Sequence, residues 1–273
     1  MKSIGPGSTG QDHGTEQRKE RGISFLDEIE TKVLLGCFIS FDIISCASTR
    51  SQPSLDLDYK RILETFEIDL GSLFGCANGV IVLIFEIVLL DNWKKDVERT
   101  RQLSVVELVK RGAKIEERLL QKSWDLEGTN SPKSNTLEDS PSASSTSQTE
   151  ITDVFALSAR IYLHVVLSGA YPELPEIAES VSKIISAFKN LTDPRLLRKL
   201  VWPFCIAGCL ALDEQQSFFR NLITEAEIAP SSIGTCLQAF RIMEECWEMR
   251  RICSCNCDWV LIMNKLGYNI LLL

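Results

Sequence analysis

The stretch PEIAESVSKIISAFKNLTDP, Pro175 to Pro194, decides the fold class. Ile177, Val181, Ile184, Ile185, Phe188 and Leu191 recur at offsets of three and four. That spacing puts them on one stripe of a helix and turns Glu179, Lys183 and Lys189 to water. Pro175 opens the helix, because proline at the first helical position gives up an amide that has no partner there. Asp193-Pro194 then starts another helix: the carboxylate accepts a bond from an orphan amide of the first turn, and Leu196, Leu197 and Leu200 form the face to be buried.

Working toward the C-terminus, Trp202-Pro203 breaks that helix, and Pro203 begins a short apolar one through Phe204, Ile206, Leu210 and Leu212. Asp213 with Gln216 makes a capping-box-like start for the face Phe218, Phe219, Leu222 and Ile223. Cys236, Phe240, Met243 and Trp247 repeat at helical spacing, and Asp258 with Gly267 brackets a last helix carrying Trp259, Ile262 and Leu266. Working toward the N-terminus, helices are expected over Phe25–Ala47, Tyr59–Asp69, Leu73–Leu90 and Val105–Leu119. Alternation of period two is scarce and no repeat of 20 to 50 residues is evident, so the expected class is all-α, a multi-helix bundle-like array.

Two stretches fall outside the helical pattern. Residues 1–22 carry glycine and charge without an aromatic residue, and 128–150 is rich in Ser and Thr with Pro132 and Pro141. Neither offers enough apolar surface to offset the entropy of ordering, so a flexible tail and a disordered insertion are expected. The insertion divides a helical front half, 23–127, from a helical back half, 151–273.

The bulk numbers restrict function. A chain of 273 residues can bury a sizeable core, and its net charge of -8 disfavours contact with nucleic acid, which needs Lys and Arg gathered on one face. The start, Met1 to Gly7, has no apolar run fit for a signal peptide, so the ten cysteines are expected to be reduced thiols in an intracellular compartment. The apolar runs Val33–Cys46 and Cys76–Leu90 are shorter than a membrane span of roughly 20 residues. Asp42 and Glu86 also interrupt them, and both read as core helices.

A search for chemistry leaves little. His13 lies in the tail, and His164 sits in the apolar run Ile161 to Val166, where a hydrogen-bonded core histidine is the ordinary explanation. Cys205 and Cys209 are one helical turn apart, but no second pair of matching spacing follows to complete a zinc site. Cys253, Cys255 and Cys257 are the densest thiols, yet one-residue gaps are not the two-to-four-residue gaps of zinc motifs, and a linker is expected. The pairs Glu116-Glu117, Glu173-Glu176 and Glu244-Glu245 read as solvated faces, as does Lys110 to Lys114 beside Glu116-Glu117-Arg118. No phosphate-cradling glycine loop, nucleophile elbow or HExxH helix occurs, so no catalytic, cofactor-binding or metal-binding residue is assigned.

Several stretches, in order, carry a resemblance. They are Phe41 to Thr49, Ile68-Asp69-Leu70 with Gly75-Cys76-Ala77-Asn78, Trp93-Lys94-Lys95, Leu200 to Cys209, Met243 to Trp247, and Asp258-Trp259 before Lys265-Leu266-Gly267. Together they resemble the fungal-specific transcription factor family, the helical region that usually follows a binuclear zinc cluster. The resemblance implies an all-helical regulatory scaffold, located in the nucleus and acting in transcription by RNA polymerase II. Its implied partners are other transcription-regulatory proteins, and a homodimer is compatible with it. The zinc cluster needs six cysteines with Cys-x-x-Cys pairs among Lys and Arg, and no segment here supplies it. The expectation is a fragment or truncated product, or a member that lost its DNA reader: not an enzyme, and without direct nucleic-acid or membrane binding. The rival readings are a helical enzyme whose Cys205, Cys209 and His164 converge in the interior, and a small-molecule sensor with a pocket between the halves.

Overall fold

A computed structural model describes residues 13–121, 143–226, 235–252, 257–268 and 272, with side chains of the first helix described from Glu28 and of the sixth from Thr146. Among these residues there are eleven α-helices and one 3-10 segment and no strand, so the chain is all-α. The front helices are α1 (His13–Thr49), α2 (Tyr59–Thr65), α3 (Leu70–Phe74), α4 (Asn78–Arg99) and α5 (Val105–Leu120). The rest are α6 (Ala143–Ser168), α7 (Pro175–Lys189), a 3-10 segment (Pro194–Lys199), α8 (Val201–Cys209), α9 (Asp213–Glu225), α10 (Thr235–Ile252) and α11 (Trp259–Leu266).

The centre is α6. It packs on α4, α5, α7 and α8, which is why Ile151, Phe155, Ile161, Tyr162, Leu163 and Val166 around its circumference are all buried. A helix covered by four neighbours has no polar face to keep. For that reason Thr146–Ser168 is long and apolar enough to cross a bilayer by length and composition, although 72% of the apolar window is buried against protein. One continuous hydrophobic cluster runs from Ile39 on α1 through α4 and α6 to Trp259 on α11, so front and back segments share a core.

Local signals set most boundaries. Pro175 occupies the first turn of α7, whose Ile177, Val181, Ile184, Ile185 and Phe188 are buried as the spacing predicts. Asp258 caps α11 by accepting from the Leu261 amide at 3.0 Å, and Gly267 ends it in the left-handed region at φ 65°. Elsewhere the expected bounds move. The Asp193-Pro194 start opens a 3-10 segment rather than an α-helix, and Pro203 lies inside the first turn of α8, where its missing amide costs nothing. The start of α9 sits one residue earlier than expected: Gln215 Oε1 accepts from the Leu212 amide at 3.0 Å, while Gln216 donates to Asp213. The expected helix Leu73–Leu90 is two helices, because Gly75 at φ 85° closes α3 before α4 begins.

Both low-complexity bounds also differ. Helix α1 begins at His13, inside the expected tail, since Glu16 to Arg21 are strong helix formers that propagate an existing helix at little cost. Helix α6 begins at Ala143, so 143–150 is helical although Ser and Thr are mediocre helix formers, and Ile151 is already core. Residues 1–12 of the expected tail and 128–142 of the expected insertion lie outside the described residues.

Candidate functional site

The best-built polar constellation joins the end of α1 to α4 and to the start of α11. Arg50 follows α1 at φ 52°, a left-handed position usually given to glycine, and the Ser51 amide returns to the Cys46 carbonyl at 3.2 Å to close the helix end. The strained backbone aims the guanidinium inward. Its Nε and Nη2 donate to the two oxygens of Asp91 at 3.0 and 2.6 Å, and Nη1 donates to Asp258 at 2.8 Å. Lys95 pairs with Asp91 at 2.8 Å from one turn along α4. Two cations and two anions thus balance around a carboxylate that is 1% exposed. Burial alone would push the Asp91 carboxyl up, but Arg50 first and Lys95 second hold it below the usual carboxylate range. Trp259 completes the joint by donating Nε1–H to the Ser48 carbonyl at 2.8 Å.

The thiols form a second constellation. Cys205 and Cys209 of α8 lie with their Sγ atoms 4.0 Å apart, and Cys209 in turn neighbours Cys246 of α10, which neighbours Cys257 ahead of α11. All four are buried. The row does not converge on a point, and among the described residues no group of three or more His, Cys, Asp or Glu has the geometry to hold a metal ion. Burial pushes the Cys209 thiol well up, contact with Cys209 does the same to Cys246, and contact with Cys246 raises Cys257. These groups are therefore neutral at neutral pH and poor nucleophiles. Cys253 and Cys255 lie outside the described residues.

His164 stands apart from that row. Its Nε2 is 3.5 Å from Glu116 Oε1, without a hydrogen bond's geometry, and Glu116 is taken by Arg160 Nε at 3.0 Å. Burial lowers the imidazole's pKa against the pull of Glu116, and no cysteine is among the groups acting on it. Among the described residues no hydrogen bond or ion pair joins His164 to Cys205 or Cys209. The remaining sequence candidates are surface pairs: Glu244 with Arg220, Glu245 with Lys265, and Arg111 with Glu107 at 2.7 Å, its guanidinium 4.0 Å above the Trp93 ring. His13 is on α1, ahead of the residues whose side chains are described.

A groove of about 500 Å³ lies between the end of α5 and the faces of α6 and α7, floored by Leu119, Leu120, Ala156, Leu157 and Ala187. Its basic rim is spoken for, Arg160 by Glu116 and Lys183 by Glu179. Its other polar lining is Glu150, Asp153, Ser186 and Asn190; Glu150 accepts from the Thr192 hydroxyl at 3.0 Å and Ser186 donates to the Ser182 carbonyl at 3.1 Å. Sequence reasoning missed the Arg50 joint, whose partners are 41 and 208 residues away. The one signal was Asp91, an acid closing the apolar run of α4.

The profile of the fungal specific transcription factor domain matches residues 11–273. Similar proteins include the trichothecene biosynthesis transcription regulator TRI10 of Trichoderma arundinaceum, 34% identical over 78% of this chain and 47% of that protein. The transcription factor ntnD of a Nectria species is 32% identical over 82% of the chain and 38% of its own length. The ustiloxin B cluster transcription factor ustR of Aspergillus flavus is 32% identical over 84% and 40%. The chain thus spans half or less of these relatives, and no solved structure matches it.

Proposed function

The chain belongs to the fungal specific transcription factor domain family, and from that premise we propose that it is the regulatory, protein-binding part of a nuclear transcription factor controlling a biosynthetic gene cluster. The observation that carries this reading is the match over nearly the whole chain, joined to relatives named as regulators of trichothecene biosynthesis and of the ustiloxin B cluster. Two features support the division of labour. The net charge of -8 gives the chain no electrostatic purchase on phosphates, and its cysteine spacings contain no Cys-x-x-Cys pair of the kind a zinc cluster uses. The contribution to transcription is then made through surfaces offered to other regulatory proteins, on a rigid helical core.

The test is to tether the whole chain to an unrelated DNA-binding module upstream of a reporter gene in a fungal cell. Reporter transcription should change several-fold relative to the module alone, whereas an unchanged reporter overturns the regulatory reading. In a mobility-shift assay at physiological salt, the chain alone should leave promoter fragments unshifted. A sequence-specific, zinc-dependent shift would overturn the division of labour.

A further inference from the structure

We propose that Ser104 is a phosphoacceptor for an arginine-directed serine kinase, a modification site in the short turn between α4 and α5. The turn reads Arg99-Thr100-Arg101-Gln102-Leu103-Ser104-Val105, which sets arginines three and five residues ahead of a serine and an apolar residue after it. Ser24 and Ser254 also follow an arginine at three residues but not at five, and both lie outside the residues whose side chains are described.

The fold presents this segment. Helix α4 ends at Arg99, and Arg101 follows at φ 58°, a left-handed backbone that a non-glycine residue holds under strain. The Arg101 amide bonds to the Glu98 carbonyl at 3.0 Å and the Gln102 amide to the Val97 carbonyl at 2.8 Å, so two backbone bonds close the turn. Arg101 is exposed and pairs with no acid among the described residues, while Arg99, also exposed, takes Asp96 on its own helix. Such surface pairs are worth little, and a partner can recruit both guanidiniums. Thr100 spends its hydroxyl on the Asp96 and Val97 carbonyls. The exposed Ser104 hydroxyl accepts from the Glu107 amide at 3.3 Å as the cap of α5 and donates to nothing among the described residues. Of the nearby acids, Glu98 lies back along α4 and Glu107 is held by Arg111 at 2.7 Å; none separates the arginines from the serine.

A kinase that reads arginine does so with carboxylates of its cleft, which accept the guanidinium fork two bonds at a time. The turn must open to enter that cleft. Opening gives up the two backbone bonds, the Ser104 cap and the half-buried Leu103, and it relieves the strain at Arg101. Helix ends with few buried contacts are the parts of a fold that open most readily. Ser104 Oγ then attacks the γ-phosphorus of Mg-ATP: the Oγ–P bond forms as the bond from that phosphorus to the β–γ bridging oxygen breaks. ADP leaves, and the hydroxyl proton passes to the catalytic aspartate of the kinase. The product carries about two negative charges at the cap of α5, beside Val105 and Val106, which are 65% and 80% exposed. An apolar surface thereby gains a charged edge.

The test incubates the full chain with the catalytic subunit of an arginine-directed serine kinase and Mg-ATP, and maps the phosphate by mass spectrometry. Ser104 should be labelled in the folded chain, and a kinase directed to acidic sequences should leave it unlabelled. Arg101→Ala should slow labelling of Ser104 about tenfold or more, the loss expected when a charge-assisted pair goes. Arg101→Lys keeps the charge and the left-handed backbone without the fork, so a rate between the two separates recognition from damage to the turn. Labelling confined to other serines, Ser24 and Ser254 included, overturns the proposal. So does labelling of Ser104 at an unchanged rate in Arg101→Ala, or equally well by the acid-directed kinase. The proposal rests on the turn alone: a chain that escapes phosphorylation yet still changes the tethered reporter refutes it without touching the proposed function.

Discussion

Replacing Arg50 with glycine sets two effects of opposite sign against each other. On backbone grounds the change is favourable: at φ 52° an L side chain costs roughly 1–2 kcal/mol that glycine does not. On electrostatic grounds it is unfavourable, because Asp91 at 1% exposure loses both bonds of its bidentate partner, and breaking a buried pair costs roughly 3–5 kcal/mol. The second effect is larger, so Arg50→Gly should lose about 1–4 kcal/mol. Lys95 at 2.8 Å keeps the loss toward the lower figure. Urea melts at pH 7 measure it, and Arg50→Gly with Asp91→Asn should recover a large part, since the stranded charge is removed. The acid limb gives an independent check. In the wild type the Asp91 carboxyl is held down, so its contribution is present above the ordinary carboxylate pKa of about 4 and lost as pH falls through the lower folded value. Without Arg50 the lowering that opposes burial falls to Lys95 alone, so this acid-side loss of stability should shrink or change sign. A variant as stable as the wild type, or more stable, would show that the joint is a surface ornament and refute the reasoning.

Other outcomes follow from the same geometry. Trp202 is fully buried against Phe155 at 6.0 Å and Tyr162 at 6.2 Å, so Trp202→Ala should cost about 3–5 kcal/mol in denaturant melts. Trp202→Phe should cost only about 1 kcal/mol, because it also removes an indole N–H that has no partner. His164 has a lowered folded pKa, so the unfolded chain takes the proton first and stability should fall as pH drops from 7 toward 5; His164→Gln should flatten that slope in melts across the range. Alkylation of the native chain followed by mass spectrometry should leave Cys76, Cys205, Cys209, Cys246 and Cys257 unmodified until denaturant is added, and fast labelling of any one of them in the native state would contradict their placement.

Where local punctuation decided the structure, the sequence was readable. Pro175, Asp258 and Gly267 each act through one turn of backbone, and the stripe of α7 and the bracket of α11 stand where that chemistry puts them. Trp202 was readable only as part of a helix break; its packing on Phe155 and Tyr162 of α6 was not, since those rings lie 47 and 40 positions earlier. The break at Gly75 was missed since the apolar run continues through it, and periodicity does not register a single left-handed residue. The helical turns at 143–150 were missed because composition weighs residues singly while a helix, once nucleated at Ile151, extends cooperatively. Of the polar joint, Asp258 and Trp259 were read only as the start of a last helix, and Asp91 was not singled out, since no local rule links these acids to an arginine 208 and 41 positions earlier.

The contact between Arg50 and Asp258 also has a meaning in time. Ribosomes emit a chain in one direction, and 208 positions separate these partners. At roughly 5–20 residues per second, α1 waits about 10–40 s after synthesis for the carboxylate and the indole that finish its end. Throughout that interval Arg50 has Asp91 but not Asp258, and Ser48 offers its carbonyl to no tryptophan. A nascent chain halted before residue 257 therefore carries an open seam at the end of α1, its guanidinium short of one carboxylate and its last carbonyls short of an indole.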